Sequence, residues 1–236
     1  MSSKIFEELC QLNDMSLHQG ADPSLIAKLR NSLNFALPIF HEEVLKWSNG
    51  VEVYGGYMRL FGTDSNDTVD CILWNHFDTW KFAWGNRCSN YWCFAETAWG
   101  DQYAYSLDSM RSRGDLSVYL LDALSMTPRF VGSSFTEFLE KEFIPSAKMP
   151  YDAMTVQGRQ KFGLLAVNEH LVHVPSILLG GTEEINNVQK MNARSAMIFN
   201  GDIATQLDAG PSKGVIKAVQ PYEDELNRMR LRLVWS

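Results

Sequence analysis

Cysteine, basic residues and long apolar runs are all scarce in this chain, and each scarcity excludes a class of protein. The 236 residues include only four cysteines, without a Cys-x-x-Cys pair, so neither a disulfide scaffold nor a zinc half-site is expected. We expect reduced thiols in or near the core. No run of about 18 apolar residues is present to span a bilayer, and the first residues lack an apolar signal core. These absences predict a cytoplasmic protein without membrane contact.

The charge balance is acidic, with 21 Lys and Arg against 28 Asp and Glu and a formal net charge of −7 at pH 7. Nucleic-acid binding takes most of its affinity from Lys and Arg on phosphates, so a basic partner is favoured over direct nucleic-acid contact. Catalytic signatures such as G-x-S-x-G, a Walker loop or G-x-G-x-x-G are missing, and no cofactor is expected. Hydrophobic residues make up 45% of the chain, enough for one sizeable core or a core domain with a smaller appendage.

Helices are predicted at the start of the chain. Apolar residues recur at helical spacing over residues 5–12. Asp22 followed by Pro23 is typical of a helix start. A further helix is predicted after Pro38, with an apolar stripe that runs to an Asn-Gly end at residues 49–50.

Short aromatic and β-branched runs follow and predict one antiparallel sheet, with strands at 57–61, 91–94, 103–105 and 118–121. A short helix is predicted about residues 75–82. Ser134 and Glu137 form a capping box that begins another helix. His41 and His76 stand alone and are predicted to lie at the surface or in an interface.

Residues 144–150 contain two prolines and predict a linker. The chain would then divide into a domain of residues 1–145 and a smaller α+β domain or sheet extension of residues 146–236. In the second segment we predict a helix capped by Thr182 and strands at 162–167, 171–174, 196–203, 214–219 and 228–235.

Several passages carry a resemblance to a known family. Residues 37–50 begin with Leu-Pro, continue as a helix and end in Asn-Gly. Residues 94–105 predict a strand, a Gly-Asp turn and a second strand, and residues 118–122 and 134–139 a closing strand and helix. Together, over about residues 20–145, they resemble the SUKH superfamily, which includes fungal Smi/Knr cell-wall regulators and many bacterial immunity proteins. Residues 150–236 lie outside the resemblance.

The resemblance implies an α+β fold, an antiparallel sheet flanked by helices, that has no catalytic centre and binds other proteins. In bacterial members the partner is typically a polymorphic toxin, often a nuclease, which the protein neutralises in the producing cell. The acidic balance fits a basic toxin domain through electrostatic steering. An intracellular scaffold for cell-wall or stress signalling is the alternative within the same resemblance.

The predicted partner-binding surface combines carboxylates with aromatic residues, namely Asp64, Asp67, Asp70, Asp78, Glu96, Trp99, Asp101 and Tyr103. A Trp beside a Gly-Asp corner can present an apolar anchor next to a carboxylate, the mixture found in interface hot spots. The alternative is that Asp101 bonds turn amides while Trp99 covers the core. Calcium binding by the aspartate-rich loop is not favoured, because a Gly at the sixth loop position and a Glu at the twelfth are missing.

The C-terminal segment supports a competing hypothesis, an enzyme or small-ligand site. Glu169, His170 and His173 suggest a metal site, but an i, i+3 pair in a strand points to opposite faces, and a fourth ligand is missing. No metal is therefore predicted.

Two further features of this segment have both a functional and a structural interpretation. Gly180 and Gly181 could offer amides to an anion at a helix start, although a tight turn needs the same glycines. A basic stripe on one face of the last strand could bind an acidic ligand, but pairing with neighbouring carboxylates is more common. Its members are Arg228, Arg230 and Arg232.

Overall fold

The computed structural model describes residues 2–12, 14–64, 67–108, 116–149, 152–212 and 214–236. The predicted early helices are confirmed as α1 (Ser2–Cys10), α2 (Pro23–Ser32) and α3 (Ile39–Trp47). The Asp22 carboxylate accepts the backbone N–H groups of Ser24 and Leu25 at 2.8 and 3.0 Å. The cap satisfies amides that the helix itself cannot pair, which sets where α2 begins.

The predicted antiparallel sheet is also confirmed. In the described residues it has seven strands in sequence order, each antiparallel to its neighbour. They are β1 (Met15–Leu17), β2 (Val51–Val53), β3 (Met58–Leu60), β4 (Tyr91–Thr97), β5 (Gln102–Ser106), β6 (Val118–Leu121) and β7 (Pro128–Gly132). The sequence patterns missed β1, β2 and β7, since strands of three residues are too short to show alternation and β7 begins with a proline.

The helix predicted about residues 75–82 begins earlier. Asp70 caps α4 (Cys71–Trp74), its carboxylate accepting Ile72 N–H at 2.8 Å and Leu73 N–H at 3.2 Å. Helical geometry then stops and returns as a 3₁₀ turn, Lys81–Trp84. The predicted range begins too late in the chain, because the N-cap residue and not the apolar spacing determines where the helix begins.

The prediction of a linker at residues 144–150 is wrong for residues 144–148, which are helical. Ser134 caps α5 (Phe135–Phe138), which widens into a π-helical turn, Leu139–Phe143, and continues as α6 (Ile144–Lys148). Pro145 stands in the first turn of α6, after the π turn. There the missing N–H and the ring are accommodated by the widened helix, so the proline does not end it. Residues 150 and 151 lie outside the described ranges.

The C-terminal segment contains α7 (Ala153–Phe162), β8 (Glu169–His173), β9 (Val188–Asn192) and α8 (Ala193–Ala209), followed by the hairpin of β10 (Ile216–Glu223) and β11 (Met229–Trp235). β8 pairs with β9 and β10 with β11, both antiparallel. The strands predicted at 171–174, 214–219 and 228–235 are confirmed within a few residues.

Other predictions for this segment are wrong. Residues 162–167 form the end of α7 and a loop, and residues 196–203 lie within α8. A short buried apolar run has no periodicity that separates a helix from a strand. Thr182 does not cap a helix, and the segment forms two 3₁₀ turns, Ile177–Leu179 and Ile185–Asn187. The Asn187 side chain donates to the carbonyls of Pro175 and Thr182, both at 2.9 Å.

The two faces of the central sheet are covered by different parts of the chain. On one face, the aromatic rings of Phe94 and Tyr105 pack with those of α5. His41 of α3 is stacked on Phe135 there, so its predicted surface position is wrong, while His76 is exposed as predicted.

On the other face, the 3₁₀ turn lies against α8, where Trp84 Nε1 donates to the carbonyl of Met197 at 3.0 Å. Met197 and Phe94 belong to the same core, so side chains before and after residue 145 share one interior. The division into two domains at that residue stays a prediction.

The four cysteines all lie in the described residues as free thiols. Cys71, Cys88 and Cys93 are buried, as predicted, whereas Cys10 is exposed. No helix in the described ranges is long and apolar enough to cross a membrane.

Candidate partner-binding cleft

The turn between β4 and β5 places the predicted Trp-Gly-Asp corner at the end of the sheet. Gly100 has φ +88°, and its N–H donates to the Thr97 carbonyl at 3.1 Å. A Cβ at this position would lie 3.1 Å from Met197 Sδ and 3.2 Å from His170 Nδ1. Both the left-handed backbone and the close approach of the C-terminal segment therefore favour glycine here.

Asp101 serves the turn, as the structural alternative predicted. Its carboxylate accepts the Ala123 N–H at 2.9 Å and the Thr97 hydroxyl at 2.8 Å. Burial raises the pKa of this carboxyl, and the Ala123 and Thr97 hydrogen bonds act in the opposite direction.

Trp99 is half-buried and held by residues of the C-terminal segment. Its indole Nε1 donates to the Thr155 hydroxyl at 2.9 Å, and its ring stacks on His173 with centroids 5.3 Å apart at 16°. The indole therefore has a fixed orientation at the junction of the sheet with α7 and β8.

A cavity of about 230 Å³ opens beside Trp99; we call it the Trp99 cleft. Its walls combine aromatic rings with charged groups, namely Tyr54, Tyr57, Trp99, Tyr103, Asp101, Glu142, Asp152 and Arg129. A smaller cavity of about 120 Å³ lies on the side of Trp99 that faces His173 and Asn200. Trp99 and Asp101 line both cavities.

Glu142 and Tyr103 form the polar wall of the Trp99 cleft. The Tyr103 hydroxyl donates to Glu142 Oε2 at 3.1 Å, and Arg129 Nη2 lies 3.5 Å from Glu142 Oε1. Burial, followed by the negative charge of Glu142, raises the pKa of Tyr103 well above its ordinary value. Tyr103 is therefore a neutral hydrogen-bond donor in this wall.

Tyr57 also lines the cleft, and its hydroxyl is buried. The side chain is 3% exposed, and its hydroxyl has no hydrogen-bond partner among the residues the structure describes. Burial raises the pKa of Tyr57 to about 12. The hydroxyl is therefore neutral and able to accept as well as donate a hydrogen bond.

Glu96, another of the predicted site residues, lies in the core and not in the cleft. It is fully buried, with Oε1 3.4 Å from Arg59 Nη1 and Oε2 3.1 Å from His170 Nε2 and 3.2 Å from Gln102 Nε2. Burial alone would raise the pKa of Glu96, but the charge and hydrogen bond of His170, the charge of Arg59 and the hydrogen bond of Gln102 lower it below the ordinary value. We call Arg59, Glu96, His170 and Gln102 the buried polar network.

The histidines of β8 behave as a strand requires. His170 is buried in that network while His173 faces Trp99, so the prediction that they lie on opposite faces is confirmed. In the part of the chain that the structure describes, no group of three His, Cys, Asp or Glu side chains is placed to hold a metal ion.

The four predicted aspartates that precede residue 80 lie apart from the Trp99 cleft. Asp70 caps α4, and Asp78 lies 3.7 Å from Arg228. Asp64 accepts Asn49 Nδ2 at 2.8 Å, and Asp64 and Asp67 line a different cavity, of about 260 Å³. Of the eight predicted residues, the structure brings together Trp99, Asp101 and Tyr103.

The residues that complete the cleft are not predicted from the sequence, because they come from distant segments. Glu142 lies in the π turn, Asp152 caps α7, and Thr155 follows in its first turn. A local signal was present only for Tyr54 and Tyr57, which flank the pair Gly55-Gly56, a pattern typical of a tight reversal.

Comparison with known proteins identifies the fold. The model of the SMI1 / KNR4 family (SUKH-1) matches residues 20–141. The crystal structure of Atu4351 from Agrobacterium tumefaciens superposes with a TM-score of 0.56 at 12% identity, over 97% of this chain and 97% of that one. That likeness concerns the fold alone, and it extends over the C-terminal segment. No curated protein matches the chain.

Proposed function

Because the chain belongs to the SMI1/KNR4 family (SUKH-1), we propose that it is a non-enzymatic, cytoplasmic protein-binding module that acts as an immunity protein. In this proposal it binds a cognate toxin domain of basic charge and neutralises it. Family membership supports the binding role, and the net charge of −7 supports a basic partner, since complementary charge speeds encounter and disfavours acidic competitors.

The observation that carries the proposal is the fixed, half-buried Trp99 at the mouth of a cleft that contains carboxylates. Hot spots of protein interfaces are enriched in Trp and Tyr that sit in pockets and lose little conformational freedom on binding. The hydrogen bond to Thr155 and the stack on His173 restrict the indole before a partner arrives. Asp64, Asp67 and Asp78 contribute, in this proposal, a negative surface and not a contact pocket.

The competing ligand site in the C-terminal segment has little support from the geometry. Arg230 is bonded to Asp202 and Arg228 to Asp224, the structural role that the sequence analysis rated higher for this stripe. His170 is committed to Glu96. The residues that the hypothesis needs therefore serve separate packing contacts.

The test is a comparison of tagged wild-type protein with Trp99→Ala in a pull-down from lysate of the native cell, analysed by mass spectrometry. We expect wild type to retain a stoichiometric partner with a basic toxin domain. Trp99→Ala should lose about 2 kcal/mol of binding or more, as hot-spot truncations do. Leu226→Ala, at a hairpin residue that is 65% exposed, is the control and should bind as wild type does.

Thermal unfolding of both variants separates lost binding from lost folding. A second assay, growth of cells that express the captured toxin with wild type or Trp99→Ala, tests neutralisation itself. If the retained proteins belong to wall synthesis or signalling, the immunity function is refuted in favour of a scaffold. Equal retention by wild type and a folded Trp99→Ala would refute the cleft as the binding site.

A further inference from the structure

We infer that the Trp99 cleft receives one arginine side chain of the partner protein. The inference rests on the proposed function and specifies the chemistry of the same site. It follows from the charge of the cleft, its aromatic walls, its size and the separation of its acceptors.

The charged groups of the cleft favour a cation. Asp101, Glu142 and Asp152 line it, against the guanidinium of Arg129. The Arg129 side chain is 59% exposed and lies 3.5 Å from Glu142, the geometry of a weak surface pair that a competing cation can replace. A carboxylate offers about four acceptor positions, so Glu142 can accept an incoming N–H while it keeps its bond to Tyr103.

The aromatic walls favour a flat cation with an apolar stem. Cations are attracted to the faces of Trp and Tyr rings within about 6 Å, and arginine makes such contacts more often than lysine. The ring of Tyr54 already makes a cation–π contact with Arg159, whose guanidinium carbon lies 5.9 Å from the ring centroid. Arg159 itself faces Asp14 at 3.3 Å, outside the lining of the cleft.

The size of the cleft fits a single long side chain. An apolar cavity of about 150 Å³ accommodates benzene, so about 230 Å³ has room for a guanidinium and its three-carbon stem. A larger element such as a helix does not fit, so the inserted group is a single side chain of the partner.

The acceptors of the cleft lie on separate elements. Asp101 lies in the β4–β5 turn, Glu142 in the π turn and Asp152 at the N-cap of α7. A guanidinium, with five N–H donors in a fixed fork, can reach separated acceptors better than a compact ammonium can.

Much of this recognition lies outside the residues that the family model matches. Glu142, Asp152 and Thr155 follow residue 141, the end of the match. The C-terminal segment would therefore set which side chain the shared sheet accepts, and so which partner is bound.

The test uses N-acetyl-arginine amide as the probe and the indole N–H signal of Trp99 in a heteronuclear NMR titration. We expect a saturable shift with a dissociation constant of about 1 mM, an affinity in keeping with one side chain. N-acetyl-citrulline amide has the same shape without the charge and should bind at least about tenfold more weakly. N-acetyl-lysine amide should also bind more weakly than the arginine probe.

Glu142→Gln keeps the shape of the wall and removes its charge, so it should weaken the arginine probe about tenfold, or about 1.4 kcal/mol. Glu140→Gln, an exposed position two residues earlier, should leave the affinity unchanged. Absence of a shift with the arginine probe, equal binding of citrulline or lysine, or an unaffected Glu142→Gln would overturn the inference.

The probe titration tests the arginine site and the pull-down tests partner binding, so the two claims can be refuted independently. A partner retained through Trp99 by a protein that ignores the arginine probe would overturn the inference and leave the proposed function standing. Arginine binding by a protein that retains no partner would refute the proposed function and uphold the arginine site.

Discussion

His41 is a buried residue that makes the stability of the core depend on pH. Its ring stacks on Phe135, with centroids 4.3 Å apart, and Nδ1 lies 3.1 Å from the Tyr105 hydroxyl. Burial lowers the pKa of His41 from 6.5 to about 3. A lone histidine in the sequence gave no signal of this environment, because the stack is formed by residues almost a hundred positions apart.

The lowered pKa predicts an acid-labile fold. Between pH 6.5 and about 3 the unfolded chain binds a proton at His41 that the folded chain does not. The free energy of unfolding should therefore fall as the pH drops below 6.5, by about 1.4 kcal/mol per pH unit from this group. Above pH 6.5 the contribution is complete and constant.

Urea unfolding of wild type and His41→Phe across pH 4–7 measures this slope. His41→Phe should remove this part of the pH dependence, whatever its effect on stability at pH 7. His76→Gln, at an exposed histidine, should keep the wild-type slope. A slope unchanged in His41→Phe would contradict the assignment.

At the scale of elements, local signals decided what could be predicted. The N-caps Asp22 and Ser134 were identified correctly, because a side chain that pairs free amides acts within a few residues. Residues 196–203 were assigned to a strand and form part of α8, because their environment is set by tertiary packing. Pro145 was interpreted as a break, because the preceding π turn has no sequence signature.

Gly100 in the β4–β5 turn allows a prediction about the stability of this element. Gly100→Ala should destabilise the protein by more than the cost of backbone strain, because the new Cβ would also press on Met197 and His170 at 3.1 and 3.2 Å. Strain alone costs about 1–2 kcal/mol for a residue in the left-handed region.

Gly180→Ala is the matched control, since Gly180 has φ +87° in the left-handed region and no atom within 4 Å of a Cβ. It should lose only the strain energy in urea unfolding experiments. Equal losses in the two variants would show that the contact between the turn and the C-terminal segment is not tight.

At the scale of the molecule, the site is built where two parts of the chain meet. Trp99, Asp101 and Tyr103 could be found from the sequence, since they are neighbours in one turn. Glu142, Asp152 and Thr155 could not, because only the packing of α5–α7 against the sheet brings them to the same cavity. The position of the C-terminal segment therefore controls the geometry of the Trp99 cleft.

The buried polar network is what joins that segment to the sheet. Arg59 of β3 is 1% exposed, and its guanidinium donates to the carbonyls of Ala166 at 2.7 Å, Leu165 at 3.2 Å and Glu169 at 3.4 Å. It also lies 3.4 Å from Glu96. Carbonyls on a loop and a carboxylate on a strand are thus paired through one side chain.

Arg59→Met should cost about 3–5 kcal/mol in urea unfolding, because it removes one partner of a buried ion pair and leaves Glu96 Oε1 and several carbonyls without their donor. Arg59→Met with Glu96→Gln should recover part of the loss, since the buried carboxylate charge is then gone. Lys217→Met, at an exposed residue of β10, is the control and should change stability by less than about 0.5 kcal/mol.

In Arg59→Met, amide hydrogen exchange should become faster in β8 before it does so in β5, because the contacts to the C-terminal segment open first. A loss below about 1 kcal/mol for Arg59→Met, with β8 protected as in wild type, would show that apolar packing and not this network holds the segment in place.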